Sequence, residues 1–471
     1  MSDSSGNVKA DKIKQSKRKR REIHAALTPI EWGDYNIDFA ISDSEGAKEI
    51  SGFIQDLDAE AQFAKTRACV VNELDLAAPS KSNLDLLQLL ITQPALPQDE
   101  VTLVESSDDL QRHLSQAFRL PLLHRTTDAR PSIIPHQLNL AEFLRHMSDD
   151  KDAGISVYDY SIADAEDRTY STSVANLCSS FPSRPNAPAL NFLDIQNRTG
   201  FHFCPLAVKL HDLVFRTAAR SRGDKGKTAS SWTPPDSPEF FLASMQNAIS
   251  SIHIDSGGGN TWIAILEGKK IWYFPRFADD QSVLQLAAAG SLAPEHYPHG
   301  WVKVELRAGD VLIMPPGLPH AVFTPEDCLS VGGQFYTAPN LGKSLRTLDL
   351  QERNPGISNE DLSSSAYATL TFLLKNGCAL LKPTDKMSVA ANPLTLDSSS
   401  STPKISAKEV KAQLTARGIE FDKKAKLPDL LASLLQHYRD GDDSTPGSVD
   451  IQRQLFLQSL GTAVSAIQQG S

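Results

Sequence analysis

Residues 253–275 read HIDSGGGNTWIAILEGKKIWYFP, and the fold is decided there. Thr261 to Glu267 and Ile271 to Phe274 are two β-rich apolar stretches joined by Gly268-Lys269, so they read as strand, turn and strand. His253 and Asp255 close an earlier strand, and Ser256-Gly257-Gly258-Gly259 is a turn that glycines make easily. Side chains two apart on a strand share a face, so the His253 nitrogen and the Asp255 oxygen converge. Lys270 shares a face with Trp272 and Phe274 by the same period, which sets a cation among apolar groups. A charge so placed needs an anion. A ligand carboxylate would serve, and a surface lysine beside Lys269 is the alternative reading.

A second stretch supplies a third donor. Residues 309–335 read GDVLIMPPGLPHAVFTPEDCLSVGGQF. Gly309-Asp310 opens a turn, Val311 to Met314 is an apolar strand, Pro315-Pro316-Gly317 reverses the chain, and His320 starts the strand Ala321 to Phe323. The hairpin presents a histidine at its mouth. Two histidines and one carboxylate on a β scaffold form the facial triad of non-haem iron oxygenases, with positions left for a bidentate co-substrate and dioxygen. His296 and His299 compete for the distal place, but they sit in a Pro/Gly-rich segment without strand flanks.

Outward from these stretches, residues between about Ile155 and Tyr336 keep the rhythm of short β-branched and aromatic runs broken by Gly, Pro, Asp and Asn. That rhythm belongs to an all-β sandwich or barrel. Residues 25–150 mix helix-like stretches such as Ser107 to Phe118 with polar breaks. Residues 341–382 are again helical, and the Ser/Pro/Asn/Thr-rich residues 383–403 read as a flexible linker. Within the C-terminal residues 441–471, positions 448–468 form one amphipathic helix, with Leu457, Leu460, Val464 and Ile467 at helical spacing. The chain has 471 residues, enough for two or three domains, and its 40% hydrophobic and 22% charged content is ordinary for a globular protein. No apolar run is long enough for a membrane span, and no secretory signal is readable. Cys69, Cys178, Cys204, Cys328 and Cys378 contain no CxxC pair, which argues against a disulfide framework and a zinc finger.

The two quoted stretches together resemble the JmjC domain, over roughly residues 151–340, and most of all the branch of histone lysine demethylases that keeps Asp in the iron motif. The shared features are the His–x–Asp pair, a lysine seventeen residues after the first His, a Trp between them, and a distal His in a proline-glycine hairpin. ISVYDYS, from Ile155, resembles the strand that opens the family's catalytic region. The resemblance implies a mainly β catalytic core, a double-stranded β-helix or jelly roll of cupin type, with flanking α-helices. It implies Fe(II) on His253, Asp255 and His320, with O2 and the co-substrate 2-oxoglutarate, whose carboxylate Lys270 would hold. Ser250 stands where relatives use Thr for that carboxylate, and Asn191 matches a co-substrate asparagine. Ile263 departs from the pattern, because the branch often places Tyr or Asn there, so one polar contact is missing.

Net charge is −10, but two segments are basic. Residues 9–21, within a tail of 1–24, carry eight basic side chains against Asp11 alone, a local net of +7. A segment so charged reads as a mobile tail, and Lys17 to Arg21 as a nuclear-import signal, with a plain solvated charge run as the alternative. Residues 404–440 form a small helical module: Ser406 and Glu409 make a capping box, Gly418 ends the first helix, and Leu427, Leu430, Leu431, Leu434 and Leu435 face a second. It resembles a SAP-type DNA-binding motif, with phosphate contacts from Lys411, Arg417, Lys423, Lys424 and Lys426. A plain hairpin for protein contact is the alternative. Together these features lead us to expect a nuclear dioxygenase that demethylates methyl-lysine on histones or other chromatin proteins. A protein hydroxylase of the same fold and a catalytically weak chromatin-binding protein are the alternatives.

Overall fold

Why Trp262 to Leu266 is apolar at every position is plain from the layers around it. The computed structural model describes residues 101–160, 162, 167–184, 188–223, 239–276, 278, 283–284, 300–358, 360–391 and 448–468, with isolated positions between 408 and 424. Two sheets are built from the described residues. The smaller is antiparallel, in the order β10 (Trp301–Arg307), β9 (Lys269–Pro275), β12 (His320–Phe323), β7 (Ile249–His253). The larger has nine strands. Its order is β1 (Thr102–Val104), β2 (Leu122–His124), β11 (Val311–Met314), β8 (Asn260–Glu267), β13 (Cys328–Phe335), β6 (Glu239–Ser244), β5 (Leu190–Gln196), β3 (Gly154–Asp159), β4 (Thr169–Ser173). It is mixed, since β1 and β2 are parallel.

Strand β8 is covered on both faces. Ile263 and Ile265 join Trp272, Phe274, Val302, Val304, Leu312 and Val322 in one cluster, drawn from both sheets. Trp262, Ala264 and Leu266 point the other way, into a cluster with α1 (Ser107–Leu114), α2 (Leu140–Met147), α3 (Val174–Ser180) and α4 (Leu206–His211). A strand buried on both sides needs no polar alternation, so its signature is a continuous apolar run.

Three boundaries differ from the sequence expectation. Residues 101–150 are not separate from the sheet: β1 and β2 extend it past β11, and Arg125 pairs with buried Asp310 at 2.7 Å. Strands of three residues are too short to show a period, which is why only α1 was legible there. The linker expected from residue 383 begins instead as helix α8 (Pro383–Ala390), with Pro at its first turn and the Lys382 N–H donating to Asp385 Oδ2 at 2.9 Å. It packs on α6 (Leu341–Arg353), where a Cβ on Gly342 would lie 2.0 Å from Ser388 Oγ. The helix α9 (Ser448–Gln468) matches its expected span, but it is no tail. Phe456, Leu460, Ala463 and Val464 pack with α7 (Ser364–Phe372), and Arg453 binds Glu352 through two bonds of 2.8 Å.

The basic tail lies outside the described residues, as do Arg417, Lys423 and Lys426, while Lys411 and Lys424 are isolated described positions. Cys178, Cys204, Cys328 and Cys378 are free. No helix of the described residues is long and apolar enough to cross a membrane.

Candidate metal centre

His253 is the last residue of β7 and His320 the first of β12, and the two strands pair them directly. The next partners along the ladder are Ser250 and Val322, so three residues of β7 are spanned by two of β12. That bulge cancels the odd spacing between Ser250 and His253 and lets both point inward. Asp255 lies past the strand but stays extended, with φ −65° and ψ 138°, so the alternation read from the sequence carries through to it. The turn behind it requires glycine. Gly257 and Gly258 have φ of +78° and +71°, and a Cβ on Gly258 would come within 2.3 Å of the Ser344 carbonyl oxygen.

His253 Nε2 is 3.9 Å and His320 Nε2 is 3.6 Å from Asp255 Oδ1. All three donor atoms lie within 4.8 Å of one another, and no other such cluster occurs among the described residues. Each ring is oriented from behind. His253 Nδ1 is 2.7 Å from the Ser251 carbonyl and His320 Nδ1 is 3.0 Å from that of Leu318. A carbonyl only accepts, so Nδ1 carries the proton and Nε2 presents its lone pair to the centre, the arrangement of a metal-bound imidazole. Burial, then the neighbouring His320, depress the His253 pKa to about 4, so this ring is a neutral donor at physiological pH.

Ser250, Lys270 and Asn191 line the same interior. Asn191 Nδ2 donates to Ser250 Oγ at 3.1 Å. Lys270 is only 4% exposed, and burial lowers its pKa from the ordinary 10.5. Among the described residues it has no ion-pair partner. Asn191 Oδ1, Ser244 Oγ, Thr261 Oγ1 and Trp272 Nε1 are also buried without a hydrogen-bond partner there. Buried polar atoms are normally paired, so a lining with one cation and several orphaned donors and acceptors fits a small polar anion. Ile263 packs beside Trp272 and adds nothing polar. His296 and His299 lie outside the described residues.

Sequence reasoning missed two carboxylates. Asp194, at a bulge in β5 with φ +50°, hydrogen-bonds to Glu360, and both feel the charge of Asp255. Desolvation in this recess, then the charges of Asp194 and Asp255, push the Glu360 carboxyl up to about 8. Their separation of 166 residues left no signal in the sequence. Glu360 also lines a cavity of about 420 Å³ that reaches Ser256, Gly257, Asp212, Glu239 and Tyr336.

Comparison with known proteins places the chain beside the histone lysine demethylases. It is 29% identical over 160 residues to Lysine-specific demethylase 7A of Xenopus tropicalis, a match covering 32% of this chain and 17% of that protein. With Histone lysine demethylase PHF8 of Danio rerio it shares 32% over 133 residues, 27% of this chain and 13% of the relative. With the JmjC domain-containing histone demethylation protein 1 of Candida albicans it shares 29% over 130 residues, 24% and 27% of the two chains. The similarity thus spans about a quarter or less of these relatives. No protein-family model matches the chain.

Proposed function

We propose that the chain is a JmjC-type Fe(II)- and 2-oxoglutarate-dependent dioxygenase, built on a jelly-roll core, that removes methyl groups from lysines of histones or other chromatin proteins. One observation carries this reading: two imidazoles and a carboxylate converge, and farther into the same interior lies a buried lysine with no counter-ion among the described residues. His253, Asp255 and His320 would hold Fe(II) from one side. Lys270 and Ser250 would hold the distal carboxylate of 2-oxoglutarate, and Asn191 fixes the Ser250 hydroxyl through its amide. The apolar walls from Ile263, Phe274, Met314 and Val322 exclude water from the reacting groups. When bound, Fe(II) with 2-oxoglutarate and O2 supplies oxidation of an N-methyl C–H bond: one oxygen atom enters the methyl group, which leaves as formaldehyde, and the other enters succinate as CO2 is lost.

The relatives' names support the substrate class, and the basic residues 9–21 and 404–440 support a nuclear, chromatin-facing role in which the second segment contacts DNA. The test incubates full-length protein with Fe(II), 2-oxoglutarate and methylated histone peptides, followed by mass spectrometry and succinate measurement. Loss of methylene mass with formaldehyde release is expected. Gain of one oxygen without demethylation would make the chain a hydroxylase, and no succinate with any peptide would overturn the enzymatic reading.

A further inference from the structure

We propose that the Trp272 indole N–H is a co-substrate ligand: it donates to the distal carboxylate of 2-oxoglutarate and supplies the polar contact that Ile263 cannot. The inference rests on the function proposed above and assigns a residue that neither the motif nor the resemblance supplies. Its starting point is an unpaired donor. Indole nitrogen can only donate, and a buried one usually finds an acceptor. Trp272 is 3% exposed, yet its Nε1 has no hydrogen-bond partner among the described residues.

Position points the same way. On the small sheet Trp272 of β9 is directly opposite Val322 of β12, and Val322 is directly opposite Ser250 of β7. Residues directly opposite share a face, so the indole, the Val322 methyls and the Ser250 hydroxyl form one row across the interior. Lys270 is two residues along β9 on that face, its Nζ 5.9 Å from the centre of the Trp272 ring. The row also has a direction. Phe274, two residues the other way, packs near His320 with ring centres 6.3 Å apart. The interior therefore runs from the imidazoles past Trp272 to Lys270. A dicarboxylate chelating a metal at one end and reaching Lys270 at the other passes the indole. Ile263 comes from the facing sheet into the same apolar cluster as Trp272 and has no hydrogen to give. A carboxylate held by Lys270 and Ser250 is the acceptor that the indole lacks.

The experiment loads the full chain with Zn(II), which does not turn over, and titrates 2-oxoglutarate or 2-oxobutanoate, the same 2-oxo acid without a distal carboxylate, by calorimetry. Trp272→Phe keeps the ring and removes the donor. Because hydrogen bonds to a charged acceptor are strong, it should weaken 2-oxoglutarate about tenfold and leave 2-oxobutanoate unchanged. Adding Ile263→Tyr to that variant should recover much of the loss. In the wild type the Trp272 indole proton resonance, one of five and identified by its absence from Trp272→Phe, should move downfield with 2-oxoglutarate only. Equal 2-oxoglutarate affinity in the two proteins, or equal loss of both ligands, would reduce Trp272 to packing and overturn the inference alone. A wild type that binds Zn(II) but no 2-oxoglutarate would overturn the inference and the proposed function together.

Discussion

Lys270 carries a penalty that a purely structural residue would not. It is 4% exposed among apolar side chains, and its lowered pKa records the unfavourable burial of its charge. Lys270→Met should therefore raise the melting temperature of the ligand-free protein while abolishing high-affinity 2-oxoglutarate binding, a trade of stability for function. The pH dependence follows from the shift. The folded state holds this proton less tightly than the unfolded state, so wild-type stability rises as pH approaches 10.5. The stability advantage of Lys270→Met measured by thermal melts should narrow over that range. The same logic separates Lys270 from the imidazoles: His253→Ala or His320→Ala should abolish tight metal binding in calorimetry, whereas Lys270→Met leaves it intact. At this scale spacing within one stretch groups His253, Asp255 and Lys270, whereas His320 is read from its own hairpin and Asn191 and Ser250 from the family resemblance. The triad, Lys270, Ser250 and Asn191 all line one interior, whereas Asp194 and Glu360 meet only because a bulge in β5 and a loop after α6 approach in space.

Strands were easier to read than their surroundings. Val311 to Met314 and the turn at Gly268 match their expected places, because a doubly buried strand is apolar throughout and a tight turn demands glycine. The bulge between β7 and β12 was invisible, since nothing in the residues 249–253 signals that three of them oppose two. Helix α8 reads differently for another reason: its polar composition resembles a linker, and its helicity comes from a cap at Asp385 and from packing of buried Val389, and of the exposed Ser388 beside Gly342, against α6. That contact is close enough to test. In Gly342→Ala the new methyl would meet Ser388 Oγ at 2.0 Å and its carbonyl at 2.7 Å, so the helices must move apart. Overpacking of this kind should destabilise the protein by about 1–3 kcal/mol in urea unfolding. An unchanged midpoint would mean that α8 docks too loosely to matter.

Over the whole molecule, the C-terminal helix bears on stability and the basic segments on what the chain binds. Phe456 is fully buried against Tyr367, their ring centres 5.7 Å apart, so Phe456→Ala should lower stability by about 3–5 kcal/mol in urea unfolding. The net charge of −10 opposes binding to nucleic acid, so any DNA contact must come from a local concentration of charge. Residues 404–439 hold eight basic side chains against four acids, and Lys411, Arg417, Lys423, Lys424 and Lys426 are the proposed phosphate contacts. With about four or five phosphates engaged and roughly 0.9 counterions released at each, the log–log salt slope for full-length protein on duplex DNA should be near −4. Lys423→Glu with Lys424→Glu should flatten that slope by about 2 and weaken all duplexes alike, because phosphate contacts position without specifying. Fluorescence anisotropy with labelled duplex at several salt concentrations measures both. A slope unchanged by the double substitution would place DNA contact elsewhere in the chain, and the absence of any salt-dependent binding would make residues 404–440 a protein-contact element.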